Sequence, residues 1–398
     1  MEPKIRFKGF EGEWKTSTIG EIAPLSGGYA FQSNHFSSVG IPIVRISNIL
    51  ETGIVGGDFA KYATFNGDAE FRLYDGDAVI AMSGATTGKV AVVHTQGFLY
   101  QNQRVGKFTK TDKVNYNFLT TIVKSHKFRA DLSCLLTSSA QPNASSRDID
   151  SIMQRIPLDK NEQKTIGKYF TSLDSQISAS TSRLASLKQM KAASLQAMFP
   201  QEGKTVPKIR FKGFEGEWKK VKADSIFKTF NEKNRPDLPV LSATQDRGMV
   251  TRESIGYNIF HDTSNEATYK HILPGQFVIH LRSFQGGFAH SEIEGIASPA
   301  YTIMDFKNKD LYHDYYWRYV FMSKEFIKRL ELITYGIRDG RSISYDEFKE
   351  MSFLVPSKEE QIKIASYLRN LDRQISFQSQ RLEKLKQIKS ACLDKMFV

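Results

Sequence analysis

The sequence predicts an α+β protein built twice: two mixed domains with different surfaces, and two long helices whose apolar seams can bury against each other as a coiled coil, in an internal repeat. Three observations carry this. Glu162 to Phe199 matches Glu360 to Phe397 at an offset of 198, with 19 of 38 positions identical and no gap. Pro3 to Trp14 returns unchanged as Pro207 to Trp218, twelve identical residues in a row. Residues 15–155 and 219–354 share a plan of short β-branched runs and turns but little sequence. A period near 200 residues is too long for a solenoid and suits two copies of one domain-plus-helix unit. The expected boundaries are 1–155 for the first mixed domain with its arm, 156–200 for a central spacer helix, 201–355 for the second domain with the repeated arm, and 356–398 for a C-terminal spacer helix.

Taken in order, each arm ends on a tryptophan, Trp14 or Trp218, whose bulk suits anchorage in a core better than contact with a ligand. In the first domain Ile41 to Ile46, Ala78 to Ala81 and Lys89 to Val93 read as strands bounded by Gly, Asp and Ser, and Tyr116 to Phe128 as a helix. The polar stretch Leu136 to Arg147 reads as a loop. The first long helix begins after Pro157, where Asp159 and Glu162 form a capping pattern, and the second after Pro356 with Ser357 and Glu360. Leu173, Ile177, Leu184, Leu187 and Met198 follow at heptad-like spacings, and Leu371, Ile375, Leu382, Leu385 and Met396 repeat them, with Ser180 and Gln378 as polar residues on the seam. Roughly 40 residues at about 1.5 Å each make a rod of about 60 Å. In the second domain Phe277 to His280 stands where Ala78 to Ala81 stood, Tyr312 to Leu332 reads as an aromatic-rich helix, and Tyr335 to Ser342 replaces the first polar loop. The frame was duplicated while loops and surfaces diverged.

A chain of 398 residues with formal charge +12 is long enough for two cored domains and favours a polyanionic partner, most often nucleic acid. Residues 356–398 alone hold nine Lys or Arg against five acids. Two cysteines, Cys134 and Cys392, make a disulfide framework improbable and fit a reducing cytosol. No apolar run approaches membrane-spanning length and the first residues lack a signal-peptide core, so a cytoplasmic protein without membrane contact is expected.

Catalytic motifs fail one by one. Ser83 to Lys89 has three residues between its glycines instead of four, and Val90 after the lysine, so it reads as a turn rather than a phosphate loop. His261, His271, His280 and His290 lack metal-ligand spacing. Pro236-Asp237 with Glu347 and Lys349 fits a nuclease only by force, and no Pro-Pro exists for an adenine methyltransferase motif.

With these residues together, the chain resembles the specificity subunit of Type I restriction-modification systems. The resemblance covers essentially the whole length. It rests on two variable domains of about 140 to 150 residues, on the helix starts Pro157 to Gln163 and Pro356 to Gln361, and on the endings Leu187 to Lys191 and Leu385 to Lys389. It implies two target recognition domains separated by two long antiparallel helices, a pseudo-twofold arrangement in which each domain reads one half of a bipartite, asymmetric DNA sequence. It further implies a non-catalytic chain with no cofactor of its own, working with two modification (methyltransferase) subunits and with restriction (endonuclease and translocase) subunits. S-adenosylmethionine, ATP and Mg2+ would belong to those partners. A DNA endonuclease carrying its own specificity and a basic coiled-coil scaffold are the alternatives: the first should cut DNA with a divalent metal when purified, the second should show no sequence preference.

Under the specificity reading, the DNA-contacting candidates are polar loop and turn residues able to reach base edges or phosphates. In the first domain these are Arg45, Asn48, Lys89, Gln101, Gln103, Arg104, Gln141, Asn143 and Arg147, and in the second Gln245, Arg247, Arg282, Gln285, Tyr335, Arg338, Arg341 and Ser342. Leu173, Ile177, Leu184, Leu187, Leu371, Ile375, Leu382 and Leu385 are expected to pack the helix pair. Polar helix positions such as Lys191 and Lys389 are expected to face the modification subunits.

Overall fold

The structure, a computed structural model, describes residues 3–136, 143–244, 247–255, 263–280, 287–333 and 344–397. The chain forms two compact units: Met1–Thr181 with Gln380–Val398, and Ser182–Ser379. Each unit thus takes the start of one long helix and the end of the other.

A four-stranded antiparallel sheet is the frame of both units. In the first its order is Leu25–Ser26, Val105–Phe108, Ala78–Ala81, Val90–Val92; in the second the equivalent strands are Phe227–Phe230, Thr302–Phe306, Phe277–Ile279, Phe288–His290. Ala78–Ala81 is apolar throughout because the strand is covered on both faces. Ala78 and Ile80 join a core with Trp14, Phe118 and Phe128, while Val79 and Ala81 join one with Val44, Leu73 and Leu99. Phe277 and Ile279 against Val278 repeat the division in the second unit. One face therefore carries the helices and the other an outer layer of strands, and the outer layers differ. The first unit builds a second four-stranded sheet, Lys61–Tyr62, Ile41–Val44, Leu99–Gln101, Arg72–Leu73, in which Ile43 pairs parallel with Tyr100. The second has two separate strand pairs, Leu241–Thr244 with Gly248–Thr251 and Lys270–Ile272 with Gly295–Ala297.

The single helices expected over Tyr116 to Phe128 and Tyr312 to Leu332 are each two: Tyr116–Ile122 and His126–Leu136, then Asp314–Met322 and Lys324–Ile333. A buried serine makes the break. The hydroxyls of Ser125 and Ser323, 198 apart, accept from the amides of Phe128 and Phe326 at 3.2 Å each.

The long helices run Lys160–Ala197 and Lys358–Met396. Asp159 accepts from the Asn161 amide at 2.7 Å and Ser357 from the Glu360 amide at 3.3 Å, so both starts stand where the capping residues place them. The glutamates of the pattern do something else than close a capping box. Glu162 and Glu360, each 1% exposed, receive Arg6 and Arg210 of the arms through two hydrogen bonds apiece, at 2.7 to 2.8 Å. The neighbouring glutamines join head to helix: Gln163 accepts from the Asn115 amide and donates to the Pro157 carbonyl, and Gln361 does the same with His313 and Pro356. The shared Glu-Gln is a structural joint. Replacing Glu162 with Gln should destabilise the first unit by about 1.5–3 kcal/mol, the worth of charge-assisted bonds to a buried partner. Denaturant melts should show the loss in the first unit only, and an unchanged midpoint would remove the clamp from the account.

Along the central helix the stripe Ile166, Phe170, Leu173, Ile177, Ser180, Leu184, Leu187 is buried or half-buried, and Leu371, Ile375, Gln378, Leu382, Leu385 behave likewise. Leu173 lies in the first unit's core with Leu385 against it; Leu187 and Leu371 lie in the second's with Ile375 against them. The pairing is antiparallel within each unit. In the first, Asp174 meets Lys389 at 2.6 Å and the Tyr169 hydroxyl meets Cys392 Sγ at 3.5 Å. In the second, Asp372 meets Lys191 at 2.6 Å and the Tyr367 hydroxyl meets Ser194 Oγ at 3.3 Å. These contacts are images of one another at the 198 offset. They also correct one expectation: Lys191 and Lys389 hold the facing helix, because each stands at a seam position opposite an aspartate.

Candidate nucleic-acid interface

In the first unit the frame sheet delivers its third strand to a cluster of turns at Met82. The Met82 amide donates to the Arg104 carbonyl at 2.9 Å, and its carbonyl accepts from the Ala144 amide at 2.8 Å. Ser83 bridges Asn143. The turn Gly84–Thr86 returns to Lys89, whose carbonyl accepts from Ala81, so Ser83 to Lys89 is a strand connection as the glycine spacing indicated. Ile46–Asn48 packs beside that turn, with the Ile46 Cδ1 about 3.5 Å from where a Cβ on Gly84 would lie. The Asn102 amide donates to the Val44 carbonyl, which brings Gln103 and Arg104 next to Arg45. Four segments distant in sequence thus share one rim.

On that rim Gln103, Arg104, Asn143 and Arg147 are exposed, while Arg45 and Lys89 are half-buried. Lys89 is ion-paired with Glu51, whose carboxyl it holds below the usual carboxylate range. Arg45, Arg104 and Arg147 have no ion-pair partner among the described residues, so three guanidinium groups stand uncompensated at one edge. Arg147 sits in the short helix Ser146–Asp150. Ser145 and Asp148 cap it reciprocally, and the serine's hydrogen bonds lower the Asp148 pKa.

Asn48 and Gln101 are turned inward, 1% and 0% exposed. Asn48 accepts from the Arg45 amide and donates to the carbonyls of Gly56 and Asp58; the Gln101 amide donates to the carbonyls of Ser26 and Val105. They hold the loops that present the others. Sequence reading missed Tyr29, a partly exposed residue at this rim whose carbonyl accepts from the Gln103 amide at 2.9 Å while its ring packs with Phe31, Phe65 and Phe71. Gly28 allows this crossing, since a Cβ there would lie 2.3 Å from the Asn102 carbonyl oxygen. A glycine pair followed by Tyr-Ala-Phe was the available signal.

In the second unit Arg247 is exposed at the turn joining Leu241–Thr244 to Gly248–Thr251, where its amide donates to Thr244 Oγ1 at 3.1 Å. Gln141, Gln245, Arg282, Gln285, Tyr335, Arg338, Arg341 and Ser342 lie outside the described residues, as does His261. His271 is buried between Glu232 and Glu294, and His290 meets Asp314 at 2.8 Å. Among the described residues no three His, Cys, Asp or Glu converge as metal ligands, and no helix is long and apolar enough to cross a membrane.

The model of the Type I restriction modification DNA specificity domain matches residues 11–189 and 215–387. The chain belongs to that family. It carries the specificity domain twice, and each match takes in a head and most of the helix after it. The curated Type I restriction enzyme MjaVIII specificity subunit of Methanocaldococcus jannaschii is 27% identical over 179 residues, 42% of this chain and 40% of that protein. The chain thus matches about two fifths of that relative's length. A crystal structure of a Type I restriction-modification S subunit from M. genitalium superposes over 100% of this chain and 99% of its own, with a TM-score of 0.67 at 15% identity. At that identity the likeness establishes the specificity-subunit fold, two mixed domains with a pair of long helices.

Proposed function

We propose that this specificity-domain chain reads a bipartite, asymmetric sequence in double-stranded DNA, one half with each unit, and directs adenine modification and restriction subunits to it. The observation that carries the reading is the contrast between a frame repeated at a fixed offset and outer layers that differ. A repeated frame offers duplex DNA the same pose twice, and unequal rims read unequal half-sites; identical rims would demand a palindrome. The uncompensated arginines suit guanine edges or phosphates, and Gln103 and Asn143 suit adenine. The proposed contacts are therefore Arg45, Lys89, Gln103, Arg104, Asn143 and Arg147 with Gln141 in the first unit. In the second they are Arg247 with Gln245, Arg282, Gln285, Tyr335, Arg338, Arg341 and Ser342.

The chain itself catalyses nothing in this scheme. Two modification subunits bring S-adenosylmethionine, the restriction subunits bring ATP and Mg2+, and the assembly works in the cytoplasm. The test is to co-express the chain with its modification subunit and map methylated adenines across a host genome. The expected result is one bipartite motif, of which a single half changes when residues 219–354 are exchanged for another head. Cleavage of DNA by the purified chain with a divalent metal would make it an endonuclease instead, and a stable complex without any methylation motif would make it a scaffold.

A further inference from the structure

The arm is identical in both repeats, yet its packing explains only part of that identity. Arg6 and Arg210 grip the helix-start glutamates, and Phe7 and Phe211 pack edge-on against Tyr169 and Tyr367. Gly9, Gly12, Gly213 and Gly216 take left-handed backbone at φ 76 to 96°, and Trp14 and Trp218 are buried. Those are the positions the fold fixes. Lys4, Ile5, Lys8, Glu11 and Glu13 are exposed, as are Lys208, Ile209, Lys212, Glu215 and Glu217, with the isoleucines 44% and 57% accessible. Lys4, Ile5 and Lys8, like Lys208, Ile209 and Lys212, join neither hydrophobic core among the described residues.

Most exposed positions elsewhere in the repeat have diverged, although Ser178, Arg183, Lys188, Gln189 and Ala193 keep their residue at Ser376, Arg381, Lys386, Gln387 and Ala391. Lys164 faces Ile362 in the alignment, Ser175 faces Arg373, Ala179 faces Phe377, Ala185 faces Glu383 and Gln196 faces Asp394, all exposed in both copies. The arm kept every exposed position, the helices only some. We propose that the exposed Lys-Ile-x-x-Lys face of the arm, Lys4, Ile5 and Lys8 and again Lys208, Ile209 and Lys212, is a docking site for one protein subunit that binds in two copies, one per arm. A protein fits better than DNA. Two lysines stand against two glutamates in each arm, so there is no excess positive charge for phosphates, and a half-exposed isoleucine between the lysines suits an apolar socket rimmed by carboxylates. Resting on the functional reading above, the modification subunit, expected twice, is the occupant.

Native mass spectrometry of the purified complex tests this. Lys4→Glu, Ile5→Glu and Lys8→Glu together are expected to reduce the complex from two modification subunits to one. The same three changes at Lys208, Ile209 and Lys212 should remove the other copy, and both sets should leave the chain bare, with its thermal melting unchanged. Two subunits retained by the doubly changed chain would overturn the proposal. So would an unchanged subunit count with weakened duplex binding, which would make the arms DNA contacts. A wild-type chain that takes up no modification subunit would overturn the functional reading itself, and this proposal with it.

Discussion

Deleting Cys392–Val398 will unfold the first unit and leave the second standing. Leu393, Met396 and Phe397 are buried in the core that also holds Trp14, Phe118 and Phe170, and the Phe397 ring lies 6.2, 5.9 and 6.0 Å from those three. Each buried apolar side chain contributes about 1.5–3 kcal/mol, so the three together are worth about 5–9 kcal/mol, comparable with the whole stability of a typical domain. The Ile5 amide also loses the Lys395 carbonyl that ties the arm down. The second unit keeps its own version of this seal in Met198 and Phe199, the latter 5.7 Å from the Tyr316 ring. Calorimetry should therefore show one of two unfolding transitions disappear, and DNA binding should lose its dependence on one half-site. Two transitions surviving the deletion would mean the first head holds together without the far end of the chain.

That the C-terminus builds the first head was legible in principle from the repeat. Phe199 shares a core with Trp218 of the second arm, and the repeat assigns Phe397 the matching place at the first arm, beside Trp14. The seam was legible for a related reason: its period is written in local spacing, which survives whatever the heads do. The partner of Glu162 was not, because Arg6 is 156 positions away and a capping glutamate looks the same in sequence as a buried ion-pair glutamate. Nor was the direction of Asn48 and Gln101. An amide side chain at a turn or a strand end points wherever unpaired backbone groups lie, and those belong to Gly56, Asp58, Ser26 and Val105, segments that only the folded chain brings near. The gathering of Arg45, Arg104 and Arg147 at one rim likewise depends on Met82 bridging residues 104 and 144, a tertiary fact with no local signature.

Replacing Arg104 and Arg147 together by alanine should weaken binding of the assembled complex to its target by about 2–6 kcal/mol, at about 1–3 kcal/mol for each base-reading arginine. The loss should be confined to one half of the target, because both residues stand on the rim of the first unit. Both are exposed and neither has an ion-pair partner among the described residues, so truncation leaves no buried charge behind and thermal stability should hold. Gln101→Ala supplies the contrast. Its amide bonds at 2.8 Å to two carbonyls inside the unit, so its loss should lower the melting temperature before it alters sequence preference. Fluorescence anisotropy on duplexes changed in either half, repeated across a salt series, separates the outcomes. Loss of discrimination in one half marks base contacts. Equal weakening on every sequence, with the salt slope reduced by about 1 per arginine, marks phosphate contacts. Unaltered binding in both assays would remove this rim from the DNA and leave the first half-site to other surfaces of the head.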